Sequence, residues 1–152
     1  MPAYSFKRRF VNPIRVGLGL IPVEPKIVDD PSSASGFSLE SKVRPKRQTI
    51  RAQGLRRHAR PGEIVQLYHG MRTKQCFKIG DGRCTSVHKI TMDIGMHSLF
   101  IRVDGEPIVS GYIHDFARAD GFEHGEDMLA FWHAEHPDIS KFAGVLIKWG
   151  PL

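Results

Sequence analysis

The chain has 152 residues, of which 41% are hydrophobic and 25% are charged. This composition suits one globular domain with its own core and excludes a chain that is disordered throughout. Two cysteines are too few for a disulfide framework, and no apolar run is long enough for a membrane span or a convincing signal peptide. We therefore expect a single-domain cytoplasmic protein that does not engage a membrane.

The formal net charge of +6 is unevenly distributed. Residues 42–60 contain eight Lys or Arg and no acid, whereas residues 115–138 contain seven acids and one base. A basic segment of this kind indicates a polyanionic partner, and nucleic acid is the obvious one. The alternative is a basic surface that serves only solubility.

The N-terminal part begins with alternating aromatic and polar residues, which predict a first strand over residues 3–10 and then a short helical or turn-like segment to Gly17. Residues 18–43 are rich in Pro and Ser and are longer than an ordinary connection. We interpret them as an insertion in the domain. It could act as a lid over a neighbouring site or be a simple surface loop.

The basic segment contains the best candidate for a functional centre. Gln48 to Arg51 alternate as a short strand does, so Thr49 and Arg51 should share one face and Ile50 the other. Cationic neighbours and partial burial would lower the pKa of Lys46, which would let it take a proton from the Thr49 hydroxyl. The same residues also fit an ordinary solvated strand edge.

The second half of the chain predicts several strands joined by turns. A turn over residues 60–63 should precede a central strand, residues 64–69, and Gly80-Asp81-Gly82 should turn a hairpin between residues 71–79 and 83–90. Asp104-Gly105 predicts another hairpin. Asp120, followed three residues later by Glu123, predicts the N-cap of a helix that Pro137 ends, and residues 142–149 a closing strand. The pattern favours a small α+β barrel.

Motifs for cofactors and metals are missing from the sequence. His133 and His136 could share a helix face, but no third ligand is suggested, and there is no phosphate-binding loop. We expect neither a metal nor a cofactor. Two aromatic residues near the basic region, Tyr68 and Phe77, could stack on a base, although Tyr68 is equally suited to packing within a strand.

Several short motifs occur in an order that resembles the ASCH domain family of the PUA-like superfamily. They are Ser5-Phe6-Lys7, Ile14 with Gly17, Lys46-x-x-Thr49-x-Arg51, Pro61-Gly62-Glu63, Tyr68 and Asp120-Gly121-Phe122. The resemblance covers nearly the whole chain except residues 18–43, which separate Gly17 from Lys46. It implies a small PUA-like β-barrel with flanking helices and a basic cleft for RNA or a modified nucleoside.

One branch of that family is an amidohydrolase that removes the acetyl group from N4-acetylcytidine. By this resemblance Lys46 would be the base, Thr49 the nucleophile and Asp120 the acid or orienting group, with Arg51 helping to stabilise the oxyanion. Asp120 stands where that branch has a glutamate. Other members are RNA-binding or ribonucleolytic, so the family does not fix one activity.

A non-catalytic nucleic-acid-binding module is the alternative from a different class of function. In that case the contacts to phosphate and base would come from the basic residues and one tyrosine along the central part of the chain: Arg47, Arg51, Arg56, Arg57, Tyr68, Arg72 and Lys74. Binding through phosphates would weaken steeply with salt, whereas recognition of a neutral nucleoside would not.

Overall fold

The structure, a computed structural model, describes residues 1–20 and 43–152. These residues form a mixed α+β fold around one seven-stranded sheet, as the sequence predicts at the level of fold class. Residues 21–42, most of the predicted insertion, lie outside the described part, so its interpretation as a lid or a loop stays a prediction.

The helices and strands follow one another along the chain in a mixed order. They are β1 (Ala3–Phe6), α1 (Val11–Gly17), β2 (Gln48–Ala52), β3 (Ile64–His69), β4 (Phe77–Ile94), β5 (Leu99–Val103), β6 (Glu106–Pro107), α2 (Ile113–Ala119), α3 (Gly125–Glu135) and β7 (Lys141–Gly150). Short 3₁₀ turns occupy Arg8–Phe10 and Ser110–Tyr112. The predicted first strand therefore ends at Phe6 rather than at residue 10.

The 18-residue strand β4 lies at the centre of the sheet. It pairs antiparallel with β7 along one side and with β3 and then β5 along the other. β1 adds to β3 in parallel, and β2 adds to β7 antiparallel. The core lies between these strands and the helices, and Leu67, Ile101, Leu146 and Ile147 on the strands have no exposed surface.

The predicted closed barrel is wrong for the described residues, because their sheet remains open. The strand that ends the ladder on one side, β6, has only two residues. One of them is Pro107, which has no N–H to donate to a further strand. An edge of this kind does not continue a sheet, so closure fails there.

The predicted hairpin at Gly80-Asp81-Gly82 is also wrong, since these residues lie inside β4. The glycines are explained by close packing. A Cβ at Gly82 would lie 3.0 Å from Leu18 Cδ2 and 3.2 Å from Trp149 Cδ1, and one at Gly80 would lie 2.8 Å from Leu18 Cδ1. Glycine inside a strand often marks such a close approach rather than a turn.

The hairpin at Asp104-Gly105 is confirmed. Both residues have positive φ, 52° and 82°, and they join β5 to β6 as a two-residue turn. The predicted N-cap at Asp120 is wrong: Asp120 ends α2, and the His124 imidazole caps α3 by accepting a hydrogen bond from the Asp127 N–H at 3.2 Å. Helix α3 ends at Glu135, just before Pro137, as predicted.

Asp120-Gly121-Phe122 forms the C-terminal end of α2. Gly121 has a φ of 96°, its N–H bonds to the Arg118 carbonyl, and the Phe122 N–H bonds to the Ala117 carbonyl. This pair of bonds is the Schellman motif, which requires a residue in the left-handed region and so favours glycine. The motif turns the chain sharply and fixes the position of Asp120.

Candidate functional site

A pocket of about 190 Å³ lies between β1, β2 and the C-terminal half of α3. Its charged and polar lining includes Ser5, Lys46, Thr49, Arg51 and Asp120. Its apolar wall consists mainly of the aromatic side chains Phe6, Phe10, Phe122, Phe131 and Trp132. The fold therefore brings together the three predicted catalytic residues and Arg51, and surrounds them with aromatic side chains. We refer to this cavity as the central pocket.

Lys46 and Asp120 form a buried pair at one end of the central pocket. They are 2% and 5% exposed, and Lys46 Nζ lies 3.3 Å from Asp120 Oδ1. The same ammonium group donates to the main-chain carbonyl of Asp120, which the Schellman motif presents. The Lys46 main chain is held as well, because its N–H bonds to the Pro13 carbonyl at 2.9 Å.

Two glycines allow Lys46 to be buried. A Cβ at Gly17 would lie 2.2 Å from the Lys46 carbonyl oxygen, and one at Gly121 would lie 3.0 Å from Lys46 Cδ. The ammonium is also 4.7 Å from the centre of the Phe10 ring, so a cation–π contact partly replaces the lost water. The glycines at the end of α1 and after α2 thus serve the site directly.

Burial shifts the two charged groups in opposite directions. It lowers the pKa of Lys46 and raises the pKa of Asp120, because each charged form is costly away from water, and their mutual attraction opposes both shifts. Both burial effects favour the neutral pair, in which the proton lies on the carboxyl. Burial therefore brings the proton affinities of the Lys46 amine and the Asp120 carboxyl closer together.

Thr49 and Arg51 lie on the same side of β2, as the alternation predicts. Arg51 Nε donates to Thr49 Oγ1 at 3.1 Å, and Arg51 Nη2 donates to the Ser5 carbonyl at 2.7 Å. The guanidinium carbon lies 4.9 Å from the centre of the Phe6 ring. Burial lowers the pKa of Arg51. Thr49, 4% exposed, thus has a fixed hydroxyl oxygen beside a cation.

The predicted binding residues of the basic segment lie outside the central pocket, Arg51 excepted. Arg47 is exposed, and its Nε donates to the Gly17 carbonyl at 3.0 Å. Arg56 and Arg57 line a separate open cavity of about 540 Å³, which borders Arg51. Arg57 is engaged by both carboxylate oxygens of Glu63, at 2.7 and 2.9 Å.

The remaining predicted binding residues lie on and beside the turn that joins β3 to β4. Arg72 and Lys74 are exposed there, and Arg72 has a φ of 68°, which is unusual for a residue other than glycine. The turn is tied to the pocket wall, because the Met71 N–H donates to Ser5 Oγ at 3.1 Å. Tyr68 is half-buried on β3, with Lys78 Nζ 5.9 Å from its ring centre.

Sequence reasoning missed the aromatic wall of the central pocket and its rim. Phe131 and Trp132 belong to the helix that Pro137 ends and are predicted only as its apolar residues. Of the two rim residues, Glu135 carries no motif, and His136 is considered only with His133 as a metal ligand. Glu135 pairs with Lys7 across the mouth of the pocket at 3.2 Å. The apolar face of α3 is the one signal that could have indicated the wall.

No group of three or more His, Cys, Asp or Glu side chains within residues 1–20 and 43–152 could hold a metal ion. Among the same residues, no helix has the length and apolar character needed to cross a membrane. Comparisons with models of protein families, with curated proteins and with solved structures find no match.

Proposed function

We propose that the central pocket binds a nucleobase of RNA or of a modified nucleoside and that the protein is a PUA-like, ASCH-type hydrolase of N4-acylcytidine amides. The observation that carries this proposal is the buried pair of Lys46 and Asp120, which opens onto the same pocket as Thr49. An amine that acts as general base is one known way to activate a threonine nucleophile, and burial lowers the pKa of the Lys46 amine.

In the proposed reaction, Thr49 Oγ1 attacks the amide carbonyl carbon while its proton passes to the neutral Lys46 amine. The tetrahedral oxyanion then collapses, the bond from carbon to N4 breaks, and N4 takes the proton from the Lys46 ammonium. Water attacks the resulting threonine ester, Lys46 takes its proton and returns it to Thr49, and the carboxylic acid leaves. Asp120 orients Lys46 and holds the pair's proton when the amine is neutral.

Stabilisation of the oxyanion is assigned to Arg51. Two of its nitrogens are used by Thr49 and Ser5, and Nη1 has no hydrogen-bond partner among the described residues. A donor fixed in this way beside the nucleophile needs little reorganisation during the reaction. The wall of the pocket is aromatic, as in many sites for nucleobases, and a pocket of about 190 Å³ suits a base better than a large ligand.

A second candidate function, RNA binding without catalysis, is favoured by the way Lys46 is held. Its ammonium group has two acceptors on one residue, the carboxylate and the carbonyl of Asp120. In this view the pair is a structural element, and the exposed Arg56, Arg72 and Lys74 contact phosphates. We assign no acid–base pair to the ribonuclease alternative, although Glu135 and His136 lie at the rim of the central pocket.

The deciding experiment is hydrolysis of N4-acetylcytidine by the wild-type protein and by Thr49→Val, which removes the hydroxyl at nearly constant volume. The matched control is Thr91→Val, on the exposed face of β4. We expect turnover in the wild type and the control and a loss of at least about a hundredfold in Thr49→Val. Absence of turnover in the wild type would reject the hydrolase and leave the binding module.

A further inference from the structure

A second cavity, of about 360 Å³, lies on the opposite side of the chain segment that follows β1. Its lining consists of Arg8, Arg9, Val11, Asn12, Arg15 and Phe77. Its volume falls within the range of about 300–1,000 Å³ that is usual for small-molecule sites. We refer to it as the arginine cavity.

The wall between the central pocket and the arginine cavity is one helical turn thick. Lys7 and Phe10 line the central pocket, whereas Arg8 and Val11 line the arginine cavity. The 3₁₀ turn explains this division, because residues three apart eclipse one another in a 3₁₀ helix and so face the same side. The two cavities are therefore neighbours across a single segment.

The arginine cavity combines cations, an aromatic face and an amide. The guanidinium carbon of Arg15 lies 5.8 Å from the centre of the Phe77 ring. Asn12 Oδ1 lies 3.5 Å from Arg15 Nη1, at the edge of this stack. Aromatic rings and guanidinium planes are the usual platforms for unpaired bases, and asparagine can bond a base edge.

Two of the cations in this cavity are available to an anion. Arg8 and Arg15 form no salt bridge with a carboxylate within residues 1–20 and 43–152. Arg9 differs, because its Nη2 is 2.6 Å from Asp127 Oδ2. A phosphate therefore has Arg8 and Arg15 as partners here, beside the Phe77 ring.

We propose that the arginine cavity is a second nucleotide subsite, in which the Phe77 ring stacks a base and Arg8 and Arg15 bind its phosphate. The larger ligand is then a single-stranded polynucleotide, with one nucleotide in the central pocket and another in the arginine cavity, whereas a free nucleoside occupies the central pocket alone. A helical turn is about 10 Å across, and a stacked strand advances about 3.4 Å per nucleotide, so about three nucleotides span the wall. This inference rests on the proposed function of the central pocket.

The test is binding of fluorescein-labelled ten-nucleotide cytidine oligomers, one of RNA and one of DNA, measured by fluorescence anisotropy at several salt concentrations. The variants are Phe77→Leu and Arg15→Gln. The chain supplies a matched control in Phe100→Leu and Arg102→Gln on β5, where an exposed guanidinium lies 5.1 Å from an exposed ring.

We expect Phe77→Leu to weaken binding by about 5- to 150-fold with an unchanged salt slope, as for loss of one stacked base. Arg15→Gln should weaken binding and reduce the slope of log Kd against log salt by about 0.7, as for one lost phosphate contact on a single strand. Both control variants should bind like the wild type. The RNA and DNA arms decide which strand is preferred.

Three outcomes would overturn the subsite: no binding by the wild type, equal binding by the wild type and both cavity variants, or equal losses in the control variants. Full competition by poly-glutamate at matched charge would also overturn it, since a peptide has no bases to stack. Failure of the proposed reaction has a separate signature. It appears as absence of N4-acetylcytidine turnover in the wild type, whatever the oligomer binding shows.

Discussion

Replacing Lys46 by Met tests whether the buried pair is organised as described. The variant removes the cation and leaves the Asp120 carboxylate and carbonyl without their donor in a site that is almost fully buried. Breaking a buried ion pair on one side costs about 3–5 kcal/mol, because an uncompensated charge remains. For a domain of this size each kcal/mol lowers Tm by about 2–4 °C, so thermal unfolding at pH 7 should shift down by about 6–20 °C.

The double variant Lys46→Met/Asp120→Asn provides the internal comparison. It removes both charges of the buried pair, so it should recover at least half of the free energy lost in the single variant. The two losses would then be far from additive. A Lys46→Met protein as stable as the wild type, or a double variant less stable than Lys46→Met, would refute the reasoning.

The pH dependence of the same variant has a definite sign. Burial raises the pKa of Asp120 above its ordinary 3.8, and removal of Lys46 takes away a cation that opposes this shift. The native state of Lys46→Met then binds a proton more tightly than the unfolded chain, so its stability falls as pH rises above about 4. Its deficit relative to the wild type, from urea midpoints at pH 4 and pH 7, should be smaller at pH 4.

Two further substitutions follow from the surroundings of the central pocket. Gly17→Ala should destabilise the protein by about 1–3 kcal/mol in thermal unfolding, because its Cβ would meet the Lys46 carbonyl oxygen. This loss is expected despite the better helix propensity of alanine. Gly54→Ala is the control and should change little, since a Cβ at Gly54 would have nothing within 4 Å. Glu63→Gln should tighten binding of the RNA oligomer and steepen its salt dependence, because it frees Arg57; unchanged anisotropy curves would argue against phosphate contacts there.

The local part of the site could be predicted from the sequence. Alternation along β2 places Thr49 and Arg51 together because the two-residue period of a strand is a property of neighbouring residues. Asp120 is different: only the family resemblance, not its spacing, associated it with Lys46. The sequence predicts an N-cap at Asp120 instead of a helix end, because the short helix α2 before it has no strong periodicity that would identify Asp120-Gly121 as its end.

The errors in the fold have a common cause, which is that they depend on distant residues. The sequence predicts a turn at Gly80 and Gly82 because glycine is typical of turns. In the structure, glycine is needed there because Leu18 and Trp149 approach the strand from elsewhere in the chain. The open edge at β6 has a similar cause, because only two residues after the Asp104-Gly105 turn pair with β5. Neither fact is present in a local window of sequence.

The pairing of β2 with β7 has a consequence for the order in which the molecule assembles. Thr49 lies opposite Ile147, and β7 in turn is aligned by β4 along nearly its whole length. Contacts between such distant residues form slowly, since the entropy of closing a long loop is lost before the contacts contribute any free energy. We therefore expect the strand that carries Thr49 and Arg51 to dock after the central strands have formed, so that the pocket is completed late in folding.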